Sequence, residues 1–232
     1  MIELTEEQIH ALEQANGAPP RMVNPRTNET FALVPTEDRI QIVSENYRWH
    51  ESTNEIEDWR TGSRYPYSLY ESKVSVYEDR VRTWFLDLAK KETAAGTSPG
   101  DYLAVLIALA YIEGVEQYRE GKKPNPGQAG LFFKASAKRI FPNAPEEAID
   151  RLWGDVRNGL FHSGFTEKPT VLSHRGEHAL WLDGRYLTIH PALFVEAVVG
   201  DFKNYIRELR TNSKGETAKR FETHWDSLWA ST

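Results

Sequence analysis

Apolar residues recur every three or four positions over most of the chain after residue 70, which is the period of an amphipathic helix. The pattern predicts helices that begin at residues 71 and 98 and others that cover 129–141, 146–162 and 191–210. The apolar face of the first consists of Val74, Tyr77, Val81, Trp84, Phe85 and Leu88, and that of the last of Phe194, Val195, Val198, Phe202, Tyr205, Ile206 and Leu209. The second is apolar on nearly every side, through Leu103, Val105, Leu106, Ile107, Leu109 and Ile112, which is typical of a helix at the centre of a bundle.

The region before these helices has a different pattern. Residues 1–47 are predicted to form a small α/β module with a helix that begins at Thr5, two strands near 21–23 and 30–34, and a last short helix capped near Thr36. Residues 48–70 have no clear period, and they are interpreted as a linker or as an arm that packs its aromatic residues on another part of the chain; these are Trp49, Trp59, Tyr65 and Tyr67.

Two further features complete the predicted fold. Strand-like segments near 170–173, 179–182 and 185–189, with Asp183-Gly184 as a tight turn, predict a β-hairpin inserted before the last long helix. Residues 212–232 are interpreted as a C-terminal helical tail with Phe221, Trp225 and Leu228 on its apolar side. The predicted fold class is mainly α: a helical bundle over 71–211 with a β-hairpin insertion, preceded by the α/β module.

Composition and charge narrow the chemistry. The chain contains no cysteine, which excludes disulfides, thiol nucleophiles and cysteine zinc sites and is typical of a cytoplasmic protein. Residues 1–70 hold 12 acidic and 6 basic residues, so they carry the whole net charge of −6. Without a basic excess, any RNA contact is expected to be local. The acidic N-terminus and the short apolar runs predict neither a secretory signal nor a membrane span.

One segment has residues suited to phosphodiester chemistry. Arg157, Asn158 and His162 occur near the end of the predicted fourth helix, and Asn158 and His162 are four residues apart, so they share a helix face. A histidine transfers protons near neutral pH, and an arginine binds phosphate oxygens through two parallel N–H groups. This combination cleaves RNA without a metal or a cofactor, provided that a base removes the proton of the 2′-hydroxyl group.

The segment Arg157-Asn158-Gly159-Leu160-Phe161-His162 resembles the motif of the HEPN family, in which an arginine and a polar residue are followed by a histidine near the end of the fourth helix of an α-helical core. The resemblance implies a homodimer whose two motifs face each other in a composite cleft. It also implies metal-independent endoribonuclease activity that leaves a 2′,3′-cyclic phosphate, often in a toxin or defence effector. Some relatives have a modified tyrosine two residues after the histidine, but this chain has Gly164 there.

Other residues have both functional and structural interpretations. Glu113, on the second helix, resembles the acidic residue with which the family supports its motif, and a structural ion pair with Arg157 is the alternative. A basic stripe on the third helix is a possible RNA-binding surface or a solvated face; it consists of Lys134, Lys138 and Arg139. Trp153 is interpreted as a core residue with base stacking as the alternative, and His190 as a capping residue. The spacing of His174 and His178 suits zinc, but no metal site is predicted.

The sequence therefore predicts a cytoplasmic, homodimeric endoribonuclease with Arg157, Asn158 and His162 at its active site, supported by Glu113. The alternative is a non-catalytic domain of the same type that binds nucleotide, RNA or a protein partner. Residues 1–47 also resemble, weakly, small antitoxin domains. Their surplus of acidic residues suggests that they occupy the RNA site of the same chain by mimicking phosphate, and a small accessory or dimerisation domain is the alternative.

Overall fold

Helices dominate the computed structural model, which describes residues 21–23, 30–32, 40–164, 166 and 168–229. Over these residues the chain forms six helices, which are α1 (70–94), α2 (Ser98–Glu120), α3 (Ala129–Ile140), α4 (146–163), α5 (Pro191–Thr211) and α6 (Glu216–Trp229). The five helices predicted between residues 71 and 210 are present, and every bound that was predicted for them is correct within one or two residues. The prediction of a mainly α-helical fold is confirmed.

Helix α1 departs from regular α-helical geometry in its middle. The segments Tyr70–Val81 and Asp87–Ala94 are α-helical, but the turn Arg82–Leu86 between them is π-helical and contains an extra residue. Val74 and Tyr77 are buried as predicted, whereas Trp84, Phe85 and Leu88 are exposed, and Leu86 and Ala89 are buried instead. The prediction for the second half of the face was wrong because the extra residue shifts the buried positions by one.

Helix α2 lies at the centre of the bundle, where it packs against α1, α3, α5 and α6. The hydroxyl group of Thr97 accepts a hydrogen bond from the N–H of Gly100 at 3.3 Å and caps its first turn. Val105, Leu109 and Ile112 are buried, but Leu103 is exposed, so the neighbouring helices do not cover the whole apolar surface of α2. On α5, all seven residues of the predicted apolar face are buried.

Residues 40–66 form an antiparallel sheet of four strands in sequence order: β3 (Ile40–Ile42), β4 (Tyr47–His50), β5 (Glu55–Asp58) and β6 (Ser63–Pro66). Its residues Val43 and Ile56 belong to the same buried core as the helices. The carboxylate group of Asp79 on α1 accepts hydrogen bonds from the backbone and side chain of Asn46, at 2.9 and 2.8 Å. Because this sheet packs on the helical core, the interpretation of 48–70 as a linker was wrong. The strands were missed because strands of four residues are too short to show a period. The boundary after residue 47 falls inside β4.

The predicted strands of the N-terminal module are present as an antiparallel pair, β1 (Arg21–Val23) and β2 (Thr30–Ala32). The helices predicted from Thr5 and near Thr36 lie outside the described residues. The hairpin insertion is also present, as β8 (Leu180–Asp183) and β9 (Tyr186–Ile189), and Gly184 at its turn has a φ of 56°. A third strand, β7 (Thr170–Leu172), pairs in parallel with β9.

The C-terminal helix α6 is part of the bundle and not an appended tail. Phe221 and Trp225 are buried against the central core, and the indole N–H of Trp225 donates to the hydroxyl group of Tyr67 at 2.8 Å. Leu228, the third residue of the predicted apolar side, is exposed. The boundary placed after residue 211 therefore does not separate two folding units.

Candidate active site

The motif occupies the last turns of α4 and begins at the end of a second π-helical turn. Residues Glu146–Arg151 are α-helical, Leu152–Arg157 form the π turn, and Asn158–Ser163 return to α-helical geometry. Gly164 ends the helix with a φ of 72°, the left-handed conformation that is typical of a glycine C-cap. A π turn inside an α-helix is frequent at functional sites, because the extra residue changes the direction of the side chains beside it. Here Arg157 is the last residue of that turn.

The guanidinium group of Arg157 is fixed by an acid on α2. Its Nε and Nη2 groups donate to the two carboxylate oxygens of Glu113 at 2.8 and 2.9 Å, which is a bidentate ion pair. Its Nη1 group donates to the side-chain oxygen of Asn158 at 3.2 Å. The side chains of Arg157 and Glu113 are 16% and 23% exposed, so the pair lies near the surface in a partly desolvated position. The ion pair predicted between these two residues is present.

Two aromatic rings lie beside the same guanidinium group. The central carbon of Arg157 lies 5.0 Å from the ring centre of Trp153 and 4.8 Å from that of Phe161. These residues precede and follow Arg157 by four positions, which is about one helical turn in either direction and places them beside it. Cation–π contacts of this kind stabilise the orientation of the guanidinium group. The i−4 and i+4 spacing was the sequence signal for this arrangement, and the role of Phe161 was missed.

The indole ring of Trp153 packs against α3. Its ring packs on Phe133 with the ring centres 5.2 Å apart, and a Cβ atom at Gly130 would lie only 2.9 Å from two atoms of the indole. The absence of a side chain at Gly130 therefore lets the indole approach the backbone of α3. Trp153 is half-buried, and its interpretation as a packing residue agrees with these contacts.

His162 is exposed, one helical turn after Asn158. It makes no hydrogen bond or ion pair with any residue in the described part of the chain. The structure thus brings Arg157, Asn158 and Glu113 together by direct hydrogen bonds and leaves the imidazole of His162 accessible at the end of the same helix. This arrangement provides an oriented cation and an accessible proton carrier on consecutive turns.

The basic stripe on α3 is occupied by ion pairs with acids of the bundle. Lys134 and Lys138 contact Asp150 and Glu146 on α4, each at 2.7 Å. These partners precede Arg157 by 7 and 11 residues, so the pairs lie about 10 Å and more before it along the helix axis. Their role in RNA binding stays a prediction, and the structure favours a bundle-stabilising role.

The third residue of the stripe, Arg139, belongs to a partly buried polar network. It donates to Glu116 on α2 at 2.7 Å and to Asp201 on α5 at 3.0 Å. Glu116, three residues after Glu113 on α2, also accepts a hydrogen bond from the buried hydroxyl group of Ser136 at 2.9 Å. This network is separate from the Glu113–Arg157 pair, so Glu113 is the acid at the motif.

The histidines of the hairpin region have structural contacts. The Nδ1 atom of His190 accepts a hydrogen bond from the N–H of Leu193 at 3.3 Å, which confirms its predicted capping role at α5. The Nε2 atom of His174 lies 2.7 Å from the buried carboxylate group of Asp101. His174 is therefore paired with this acid and not with His178. Over the described residues, no group of three or more histidine and acidic side chains is arranged to hold a metal ion.

No known protein family, curated protein or solved structure matches this chain significantly. Among the helices that the structure describes, none combines the length and the apolar character needed to cross a bilayer.

Proposed function

We propose that the protein is a metal-independent endoribonuclease of the HEPN type, with Arg157, Asn158 and His162 at its active site. The observation that carries this proposal is the set of donors that Arg157 retains. A guanidinium group has five N–H donors, of which the two bonds to Glu113 and the one to Asn158 use three. Among the described residues, one N–H on Nη1 and one on Nη2 have no acceptor, and in this proposal these two donors bind two phosphate oxygens.

The proposed reaction divides two tasks between the cation and the imidazole. An imidazole removes the proton of the 2′-hydroxyl group, whose oxygen attacks the adjacent phosphorus atom. The bond from phosphorus to the 5′-oxygen breaks, and that oxygen receives a proton from a protonated imidazole. The products are a 2′,3′-cyclic phosphate and a 5′-hydroxyl group, and Arg157 stabilises the charge on the phosphate oxygens. Asn158 and Glu113 position Arg157.

This reaction needs a general base and a general acid, and the motif supplies one histidine. We therefore propose that the active form is a homodimer in which the motifs of two copies share one cleft. The proposed site of action is the cytoplasm, where RNA is the available substrate.

Residues 1–47 would regulate the cleft of the same chain, because their acidic surplus would occupy the site of the RNA phosphates. Replacing Glu3, Glu6 and Glu7 with glutamine tests this form of control. An unchanged affinity for RNA would exclude this form of control.

A non-catalytic binding domain is the second candidate, and one observation favours it. Glu113 already neutralises Arg157 at 2.7 Å, as expected for a structural ion pair between α2 and α4. In that case the motif stabilises the bundle, and His162 is an incidental surface residue. The two candidates differ in the effect of changing His162, which contributes no described contact to the fold.

The deciding experiment is cleavage of end-labelled RNA in excess EDTA. His162→Ala is expected to lower the rate by about 10² to 10⁴-fold. Arg157→Ala should lower it by about 10² to 10³-fold, and Arg157→Lys should not restore it because lysine lacks the fork. His178→Ala is the matched control, since His178 is also exposed but lies outside the motif. Cleavage that survives His162→Ala, or its absence in the folded wild-type dimer, would refute the nuclease proposal.

A further inference from the structure

The ring of Phe161 is exposed in the middle of the motif. This side chain is 46% exposed, although phenylalanine is usually buried, and it immediately precedes His162. One face of its ring is covered by the guanidinium group of Arg157 at 4.8 Å. The other aromatic residue of the site, Trp153, is held between Arg157 and α3 and is therefore less accessible. Phe161 is the aromatic surface that the motif presents to solvent.

We propose that Phe161 stacks on an unpaired base of the RNA substrate and thereby selects single-stranded RNA. This inference rests on the proposed function, whose substrate it narrows. A flat ring fixed on one side by a cation offers its other side to the face of a nucleobase, and such stacking does not depend on the base identity. Bases in a duplex are already stacked on both sides, so only an unpaired base is free to occupy this position.

The position of the ring also connects binding with the reaction. Arg157 contacts Phe161 on one face and keeps two N–H donors for phosphate, while His162 is the next residue after Phe161. A base stacked on Phe161 therefore brings its own phosphodiester group to the surface that carries the cation and the imidazole. Phe161 is a specificity-determining residue in this proposal, and it does not take part in proton transfer.

The test measures binding without cleavage. The probe is a short, fluorescein-labelled 2′-O-methyl oligoribonucleotide, which cannot be cut because its attacking oxygen is methylated. Phe161→Leu should weaken binding of the single strand about five- to 100-fold, and Phe161→Tyr, which keeps a ring, should preserve it. The dependence of binding on salt should be the same for Phe161→Leu and the wild type, since no phosphate contact is lost. Binding of the blunt duplex of the same sequence should not respond to the substitution.

The sheet offers a closely matched control. Trp59 is 48% exposed and has the guanidinium group of Arg48 over its ring at 5.0 Å, but it lies on the four-stranded sheet and not in the motif. Trp59→Leu should leave the affinity unchanged. An equal loss for Trp59→Leu and Phe161→Leu, or no loss for Phe161→Leu, would overturn the stacking proposal.

Two further outcomes separate this inference from its alternatives. If Phe161→Leu lowers the molecular mass in sedimentation analysis, the ring is an interface residue between copies, and the proposal is wrong. If binding depends on Phe161 but wild-type protein does not cleave unmodified RNA in EDTA, the stacking inference stands and the nuclease proposal fails. Cleavage that is equally fast for single strands and duplexes would refute the stacking inference and leave the nuclease proposal intact.

Discussion

Replacing Arg139 with alanine tests whether the basic stripe of α3 stabilises the bundle or binds RNA. The side chain joins three helices, because it lies on α3 and donates to Glu116 on α2 and to Asp201 on α5. Those two carboxylate side chains are 11% and 9% exposed. After the substitution both remain largely buried with fewer partners, which is the condition under which a lost ion pair is costly.

The expected loss follows from these exposures. Removing one partner of a buried ion pair typically costs about 3–5 kcal/mol. The side chain of Arg139 is itself 31% exposed, so solvent screening reduces the figure to about 2–3 kcal/mol. Asp201 also keeps a hydrogen bond from the hydroxyl group of Tyr111 at 2.7 Å, which limits the loss. For a chain of 232 residues this corresponds to a decrease in Tm of roughly 5–10 °C.

Urea denaturation followed by circular dichroism measures this free energy of unfolding. Lys138→Ala is the matched control on the same helix, because Lys138 forms only an exposed ion pair with Glu146 and should leave the midpoint nearly unchanged. Fluorescence anisotropy with labelled RNA under native conditions measures RNA binding, which is the alternative role of Arg139. A folded Arg139→Ala variant with an unchanged urea midpoint and weaker RNA binding would refute the structural assignment.

Three further predictions concern the site and the C-terminal helix. Glu113→Gln should lower RNA cleavage about tenfold, since the amide oxygen accepts only one of the two hydrogen bonds from the guanidinium group and carries no charge; faster cleavage would show that the acid restrains Arg157. Gly130→Ala should cost about 1–3 kcal/mol and change the near-ultraviolet dichroism, because its Cβ atom would lie 2.9 Å from the ring of Trp153. Gly154→Ala, which meets open space, is its control. Burial lowers the pKa of His224 below 6.5, so its contribution to stability is present above about pH 6.5 and is lost as the pH falls through the lower folded value. His224→Gln should reduce the fall in Tm between pH 8 and pH 5, and an identical fall in both proteins would contradict this assignment.

The helices were predictable because they are long and repeat their apolar residues over several turns. The seven-residue face of α5 is buried throughout, whereas the α1 pattern failed after Arg82, where the π turn begins. The spacing of apolar residues cannot reveal such a turn, since the choice depends on packing against α2. The sheet at 40–66 was missed for a different reason: its strands have three or four residues each, and charged side chains interrupt their alternation.

At the candidate site, the sequence identified residues but not their contacts. The pairing of Glu113 with Arg157 was predictable, because a partly buried acid needs a nearby cation. The engagement of Arg139 with Asp201 was not, since these residues are 62 positions apart on helices whose relative rotation no local pattern determines. The exposure of Phe161 was unpredictable for the same reason.

The π turn in α4 has a consequence for how such a motif changes over evolutionary time. The first half of the helix is fixed by its packed face, which includes Ala148, Ile149 and Leu152, all fully buried. An inserted or deleted residue in the turn Leu152–Arg157 rotates everything after it by about 100° while this face keeps its position. A single codon in this turn therefore re-aims Asn158 and His162 while the packed face before the turn keeps its position, and the core contacts that change are those of the residues after it, such as the buried Val156.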